Sequence, residues 1–439
     1  MSETLVGRLR DLHDGPLVFH EVVRLGDAAV PALEHLVRGP SGAIHHPRSL
    51  AADALAAIRT PEAVRALIRA LLDSIGRAPA AEQLEAESIL VNHLAEHLSR
   101  FPGPDVTEAL LTALQRRRYP YCAAALGLTG DLRAIPLLIE CLYDDPARPA
   151  AMGALRGYRQ AALKPLAAAL LETGEAGHPE PPSRVDGRAA AARVLGELAA
   201  TDPGDPPIAL PALTQALNDC QRPVRVGAAL ALARCGAPAA EAAAGILVLA
   251  LDEPNWARAE EIINALVRLG PAAERLIVPM LALRPRNEAD RRRRLRLAEA
   301  AGRLGSAAAI RRLVAFHQAA EPTLRLAAVS ALGRIAPADA GALALFLADP
   351  DPLVRYRALA ALRRRKAVDA AEATRLLADA DEDVRRLATD TIRENLGAAL
   401  PALTRAARHC GAPLHGLAPR LRLWWHACAL LAEKPAPHR

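Results

Sequence analysis

Aromatic residues and strand-favouring segments are scarce in this sequence, and their scarcity narrows the fold class. Phe, Tyr and Trp make up only 3% of the 439 residues, although hydrophobic residues make up 51%. Alanine and leucine must therefore fill the core, and both are strong helix formers. Few segments show the β-branched or aromatic enrichment that strands prefer. The sequence therefore predicts an all-α protein.

Long apolar runs and paired cysteines are lacking too. The longest apolar run, residues 242–251, falls far short of the ~20 residues needed to span a bilayer, and no apolar segment of a signal peptide opens the chain. The six cysteines show no CxxC spacing, so neither a zinc site nor a disulfide framework is indicated. We therefore expect a cytoplasmic protein with reduced thiols and no membrane contact.

Charge is unevenly divided between the two halves of the chain. Residues 1–220 carry 21 Lys and Arg against 27 Asp and Glu, a net charge of −6, whereas residues 221–439 carry 34 against 22, a net of +12. A basic half favours nucleic acid or an acidic protein as a partner. Only three of the 55 basic residues are lysines, which is typical of a GC-rich bacterial genome, so part of the arginine content reflects composition.

A repeated pattern runs through the chain and is clearest in its second half. Each copy has an apolar helix, a short acidic turn that often contains proline, an arginine, and a second helix. The arginines recur every 30 to 36 residues in the second half. They are Arg225, Arg258, Arg294, Arg325, Arg355 and Arg385, with weaker members at Arg48, Arg148 and Arg188. A period of this length predicts an α-solenoid of about 12 or 13 stacked hairpins.

Residues 130–155 (GDLRAIPLLIECLYDDPARPAAMGAL) and 348–362 (ADPDPLVRYRALAAL) resemble the HEAT-like repeats of phycobilisome lyases. The resemblance covers nearly the whole chain and implies a fold used in many roles. It also implies a ladder in which a turn Asp and a second-helix Arg join neighbouring repeats. The implied pairs are Asp219 with Arg225, Asp349 with Arg355, and Asp379 with Arg385. We favour this structural role for the arginine column over ligand binding.

Two stretches rich in proline and glycine, 172–187 and 200–207, interrupt the repeats and bracket one helix. The sequence predicts four regions: N-terminal acidic repeats in 1–171, an interrupting region consistent with a bend in 172–207, C-terminal basic repeats in 208–412, and a capping helix with a tail in 413–439. The cap contains Trp424 and Trp425, and it would cover the core edge that the last repeat leaves open.

The resemblance places the second helices on the concave surface of the solenoid, so their side chains are candidates for partner binding. The candidates are Arg258, Arg292, Arg294, Arg325, Arg355, Arg357, Arg385 and Trp256. Acidic residues such as Glu260 and Glu299 on the same helices dilute the positive charge. Two interpretations stay open: a basic binding surface, and a solvated face whose arginine content reflects composition.

Three short motifs are similar to sites of enzymes. His93 and His97 have the HxxEH order of inverzincin metalloproteases, but leucines already give this helix a core stripe, and we expect two surface histidines that hold no metal. His20 and Glu21 form one His-Glu dyad, whereas the HEAT-repeat deoxyhypusine hydroxylases need several to hold two irons. One set of residues resembles the groove of DNA glycosylases built on HEAT-like repeats: Trp256, Glu260, Arg292 and Arg294. Glu260 stands where that family has Asp.

The leading hypothesis is a non-enzymatic scaffold or adaptor that binds another protein, with an acidic partner favoured by the basic half. The alternative is nucleic-acid binding through the Arg-rich C-terminal repeats, with glycosylase-like activity as an extension. A third hypothesis is a chaperone-like role similar to that of phycobilin lyases. No catalytic residue, cofactor or metal is predicted, and the question of a small-molecule ligand stays open.

Overall fold

The computed structural model describes residues 2–11, 14–40, 46–77, 83–173, 179–201, 208–236, 239–335 and 340–394. These residues form 24 α-helices and a few short 3₁₀ turns, and they contain no β-strand. The helices are α1 (Ser2–Gly7), α2 (Gly15–Arg24), α3 (Val30–Val37), α4 (His46–Ile58), α5 (Pro61–Gly76), α6 (Leu84–Leu98), α7 (Pro104–Arg116), α8 (Pro120–Leu126), α9 (Ala134–Leu142), α10 (Arg148–Gly157), α11 (Gln160–Leu171), α12 (Pro182–Thr201), α13 (Ala209–Ala216), α14 (Arg222–Cys235), α15 (Ala240–Ala250), α16 (Trp256–Leu269), α17 (Pro271–Met280), α18 (Glu288–Leu304), α19 (Ile310–Val314), α20 (Pro322–Leu332), α21 (Ala340–Ala344), α22 (Pro352–Arg364), α23 (Ala370–Leu376) and α24 (Glu382–Glu394). Within the described part of the chain, no helix has the length and apolar character needed to cross a membrane.

The helices pair in chain order into hairpins, each with an odd-numbered first helix and an even-numbered second helix. The 24 helices therefore make twelve hairpins within the described residues. Second helices pack on second helices of neighbouring hairpins, as in the series α2, α4, α6 and α8. This stacking confirms the predicted all-α solenoid. The predicted capping helix at 413–439 lies outside the described residues.

The chain divides into two compact units, Met1–Ala239 and Ala240–Arg439. Helices α1 to α14 belong to the first unit and α15 to α24 to the second. The predicted interrupting region, 172–207, falls within the first unit. There α12 packs against α10, α11 and α14, so this helix is an integral layer of the first stack.

Local sequence signals account for where the second helices begin and end. Proline occupies the first turn of α14, α20 and α22, where its missing N–H has no intrahelical partner. Asn255 and Asn287 cap α16 and α18, and each side-chain oxygen accepts a backbone N–H three residues further on. Gly305 ends α18 with a φ of 69°, the left-handed conformation that favours glycine.

Small residues set the spacing between second helices. A Cβ atom added at Gly302 of α18 would lie 2.6 Å from the Cα of Ala331 in α20. The two backbones approach so closely only because glycine has no side chain at that point. The core between the hairpins consists mostly of Ala and Leu, with Phe316 and Phe346 among its largest fully buried side chains.

Candidate binding surface

Arginines near the start of the second helices bind the carbonyl groups that follow the first helices. Arg355 Nη1 donates to the backbone oxygens of Asp349 and Pro350 at 2.8 and 3.1 Å. Arg325 and Arg385 make equivalent 2.8 Å contacts in their own repeats. These backbone oxygens belong to the turn between the two helices, and a turn oxygen needs a hydrogen-bond partner when packing removes it from water. The arginines supply that partner and so close each hairpin.

Two of these arginines also bind the carboxylate of the next repeat. Arg325 donates to both oxygens of Asp349 at 2.7 and 3.0 Å, and Arg355 donates to both oxygens of Asp379 at 2.8 and 2.6 Å. The resemblance to HEAT-like repeats instead implied pairs of Asp349 with Arg355 and of Asp379 with Arg385. In the structure each Asp binds the arginine of the preceding repeat, and the expected partner contacts only its backbone oxygen. Each Asp of the ladder therefore pairs with an arginine that lies one repeat earlier in the chain than the predicted partner.

The first unit repeats this arrangement around a fully buried arginine. The guanidinium of Arg188 donates to the carboxylate of Asp219 and, at 2.8 Å, to that of Glu180. Arg225, the partner expected for Asp219, donates to its backbone oxygen. Buried charges require such pairing, because each one loses its hydration.

Five of the eight predicted partner-binding residues are held by contacts inside the chain: Arg292, Arg294, Arg325, Arg355 and Arg385. Arg292 Nε lies 3.3 Å from the backbone oxygen of Asp252. The guanidinium of Arg294 lies 4.3 Å from the centre of the Phe316 ring and 3.3 Å from the backbone oxygen of Leu281. Burial lowers the pKa of Arg294. These five side chains therefore contribute contacts within the fold, and their role in partner binding stays a prediction.

The other three candidates, Trp256, Arg258 and Arg357, are exposed. The side chain of Trp256 at the start of α16 is among the most exposed large hydrophobic groups, at 74%. Within the described residues, no acidic partner is recorded for Arg258 or Arg357. Sequence position alone did not distinguish these residues from the five arginines that the fold uses.

Ion pairs between adjacent second helices neutralise much of the remaining charge. Arg303 of α18 binds Glu260 of α16 at 2.5 Å and Glu299 of its own helix at 2.6 Å. This hydrogen bond from Arg303 lowers the pKa of Glu260, so the carboxylate is ionised and engaged. Glu260, Arg292 and Arg294, which resemble the glycosylase groove, each contact a different partner within the chain.

A basic cleft of about 540 Å³ opens between α20, α22 and α24 in the second unit. Its charged lining residues are Arg334, Arg357, Arg363, Arg364 and Glu394, and Tyr356 and Leu387 contribute its apolar surface. Arg363 and Glu394 form an ion pair with each other. Four arginines against one glutamate leave an excess of three positive charges on the walls of the cleft.

Arg334 and Tyr356 were not among the residues that the sequence suggested for partner binding, although a sequence signal for Arg334 existed. Arg334 and Arg364 lie one repeat interval apart, each just after the apolar stripe of its second helix. Three of the four arginines that line this cleft, Arg334, Arg363 and Arg364, lie at or just after the end of a second helix. An alignment of repeats by their helix ends would have grouped them.

Two histidines of α6 and an aspartate of α4 meet in the first unit. Asp53 Oδ1 lies 2.8 Å from His93 Nε2 and 2.7 Å from His97 Nε2. Burial would raise the pKa of Asp53, but hydrogen bonds from the two histidines outweigh it and hold the pKa well below its usual range. The hydrogen bond to Asp53 raises the pKa of His93. His97 is only 6% exposed, so the prediction of two surface histidines is wrong for this residue.

Comparison with known sequences identifies the repeat type. The PBS lyase HEAT-like repeat matches residues 47–73, 121–144 and 187–219. The chain therefore contains HEAT-like repeats, as the resemblance of residues 130–155 and 348–362 implied. A comparison with curated protein sequences gives no match.

Solved structures of karyopherins share the fold over nearly the whole chain. Kap95p in a study of RanGDP is 11% identical with a TM-score of 0.58, covering 98% of this chain and 67% of that chain. Kap121p bound to Nup53p is 12% identical with a TM-score of 0.56, covering 97% and 52%. Importin beta is 14% identical with a TM-score of 0.52, covering 98% and 61%. The chain thus spans about half to two thirds of these proteins, and at such identities the likeness establishes the α-solenoid fold alone.

Proposed function

We propose that the protein is a non-enzymatic binding scaffold and that the cleft between α20, α22 and α24 holds an acidic segment of a partner protein. The observation that carries this proposal is the excess of three positive charges among the residues that line the cleft, next to the side chains of Tyr356 and Leu387. A groove of this kind can bind both the carboxylates and the hydrocarbon of an acidic peptide.

The arginines differ in how available they are, and this favours two of them as anchors. Arg357 and Arg364 are exposed, and no acidic partner is recorded for either within the described residues. Arg363 is occupied by Glu394, and Arg334 lies 3.9 Å from Glu299. We therefore expect Arg357 and Arg364 to make most of the charged contacts with the partner.

A protein partner is favoured over nucleic acid because the fold itself uses most of the arginine column. Duplex DNA is bound through many phosphate contacts, each of which steepens the salt dependence. Within the described residues, most of the column is engaged in the ladder or in carbonyl contacts, so it does not form a continuous row of unpaired cations along which a phosphate backbone could bind. Structures that share the fold include complexes with proteins, such as Kap121p bound to Nup53p, and this too supports a protein partner.

The test measures binding of a fluorescent oligoglutamate peptide and of duplex DNA to the full chain by anisotropy, in increasing salt. We expect the peptide to bind at low salt and the double variant Arg357→Glu/Arg364→Glu to lose at least tenfold in affinity. Reversing two charges that contact a carboxylate replaces attraction by repulsion, and a factor of ten corresponds to about 1.4 kcal/mol.

The matched control is Arg311→Glu/Arg312→Glu on α19, which makes the same change in net charge at two exposed arginines of a first helix. This control should retain peptide binding within about twofold. Equal losses in both double variants would mean that the protein attracts polyanions without using the cleft. If DNA binding instead outlasts peptide binding at about 150 mM salt, where non-specific DNA affinities are weak, nucleic acid is the favoured partner.

A further inference from the structure

We infer that Asp53, His93 and His97 form a binding site for a divalent transition-metal ion of the zinc type. This site lies in the first unit, on α4 and α6, and is independent of the basic cleft and of the proposed function. Two imidazole nitrogens and one carboxylate oxygen form a ligand set that zinc binds in proteins, commonly with water in the fourth position.

The geometry brings three ligand atoms to one point. His93 and His97 are four residues apart on α6, so they share a face of that helix, and their Nε2 atoms lie 3.2 Å from each other. Asp53 Oδ1 lies 2.8 and 2.7 Å from these nitrogens. In a tetrahedral zinc site the ligand atoms lie about 2.0–2.1 Å from the metal, which places them roughly 3.3 Å from one another. The histidine pair already has this spacing, and Asp53 must move outward by about half an ångström.

The packing of α4 against α6 holds the three ligands in place. Arg48 of α4 is buried and donates to both carboxylate oxygens of Glu87 on α6. This pair fixes the register of the two helices about one and a half turns from the ligand cluster. Because its guanidinium is occupied by Glu87 and by the backbone oxygen of Val37, Arg48 is not the cation that balances Asp53.

His97 is the most buried of the three ligands. Its side chain is 8% exposed, and its Nε2 atom lies 2.7 Å from Asp53 Oδ1 within the cluster. Histidine coordinates zinc through one of its ring nitrogens, so Nε2 is placed to serve as the ligand atom.

The cluster is also open to solvent on one side. The side chains of Asp53 and His93 are 36% and 28% exposed, which leaves room for entry of the ion and for a water ligand. Three protein ligands with an open fourth position describe a zinc site that can exchange a ligand, in contrast to closed structural sites with four protein ligands.

The experiment uses the full chain, without an affinity tag, stripped of metal by a chelator. Zinc binding is measured by titration calorimetry, and cobalt(II) is added in parallel to record the visible absorption of its nitrogen- and oxygen-ligated form. We expect one equivalent of zinc per chain and a rise in Tm with zinc, because binding to the folded state alone stabilises it. The variants Asp53→Asn and His93→Asn should each weaken zinc binding by at least about 100-fold. Loss of an outer-shell partner costs up to about 100-fold in metal affinity, and loss of a direct ligand should cost at least as much.

The control is His20→Asn, which removes an exposed histidine of α2 and should leave the affinity and the stoichiometry unchanged. Circular dichroism of each variant without metal distinguishes a lost ligand from a lost fold. The inference is overturned if the stripped wild-type chain takes up no zinc, or if His93→Asn and His20→Asn bind zinc equally. In that case the two histidines serve only to hydrogen bond Asp53.

Discussion

At the scale of single residues, the same side-chain type serves two purposes in this chain, and the neighbours decide which. Arg325 is buried against Asp349 and makes four hydrogen bonds, two of them to backbone oxygens. Arg357, two residues after the ladder member Arg355, projects into the cleft instead. Identical chemistry thus supports the fold at one position and is available for binding at another.

The buried ladder predicts an asymmetry between two similar substitutions. Arg325→Ala leaves the Asp349 carboxylate, which is 7% exposed, without its cation. We expect a loss of about 3 kcal/mol in the free energy of unfolding, the lower end of the range for breaking a buried ion pair. Arg385→Ala removes carbonyl contacts and should cost only about 1 kcal/mol. Urea denaturation monitored by circular dichroism measures both.

The double variant Arg325→Ala/Asp349→Ala is the control for the ladder. It removes both charges, so it should be less destabilised than the sum of the two single variants. Additive losses would contradict a direct interaction between the two side chains.

At the scale of helices, close contact between second helices depends on residues without side chains. Gly302 faces Ala331 across the contact of α18 and α20, and an added methyl would overlap the backbone there. The two helices have little room to move apart, because protein interiors are close-packed.

Gly302→Ala should therefore lower the free energy of unfolding by about 1–3 kcal/mol, the usual cost of overpacking. Gly245→Ala in α15 of the same unit is the matched substitution, because its Cβ would meet only Leu276 Cδ1 at 4.0 Å. That variant should be neutral or more stable by up to about 1 kcal/mol, since alanine favours helix over glycine. Thermal unfolding measures the Tm of both variants, and equal changes in Tm would contradict the close approach at Gly302.

At the scale of the whole molecule, the chain consists of two compact units, Met1–Ala239 and Ala240–Arg439. In a repeat protein each hairpin contacts only its neighbours, so stability accumulates along the stack. Helix α12 carries ten buried residues and packs on helices of its own unit. A cut before α12 therefore removes a layer that the first unit needs.

A fragment of residues 1–239 should fold by itself and show the helical circular dichroism per residue of the full chain. A fragment of residues 1–171, cut where the sequence alone places the end of the N-terminal repeats, should melt at a lower temperature and with less cooperativity. The reason is that α10 and α11 lose the helix that covers them. If the shorter fragment proves as stable as the longer one, the division at 172–207 is the better domain boundary.

The sequence by itself determined the fold class, because helix-forming composition and a period of 30 to 36 residues leave few alternatives. It also located the arginine column, since a position used once per repeat recurs at the same interval. Proline and glycine at helix ends made hairpin boundaries readable, because their backbone constraints act locally.

Only the tertiary structure decided the contacts that join one repeat to the next. The register of the Asp-Arg ladder depends on the offset between neighbouring hairpins, and no local sequence signal encodes that offset. The same holds for Asp53, which lies 40 residues from His93 and meets it only because α4 and α6 are adjacent second helices. Which arginines remain free is likewise a matter of packing, since a guanidinium such as that of Arg294 becomes unavailable when a neighbouring carbonyl and ring come within reach.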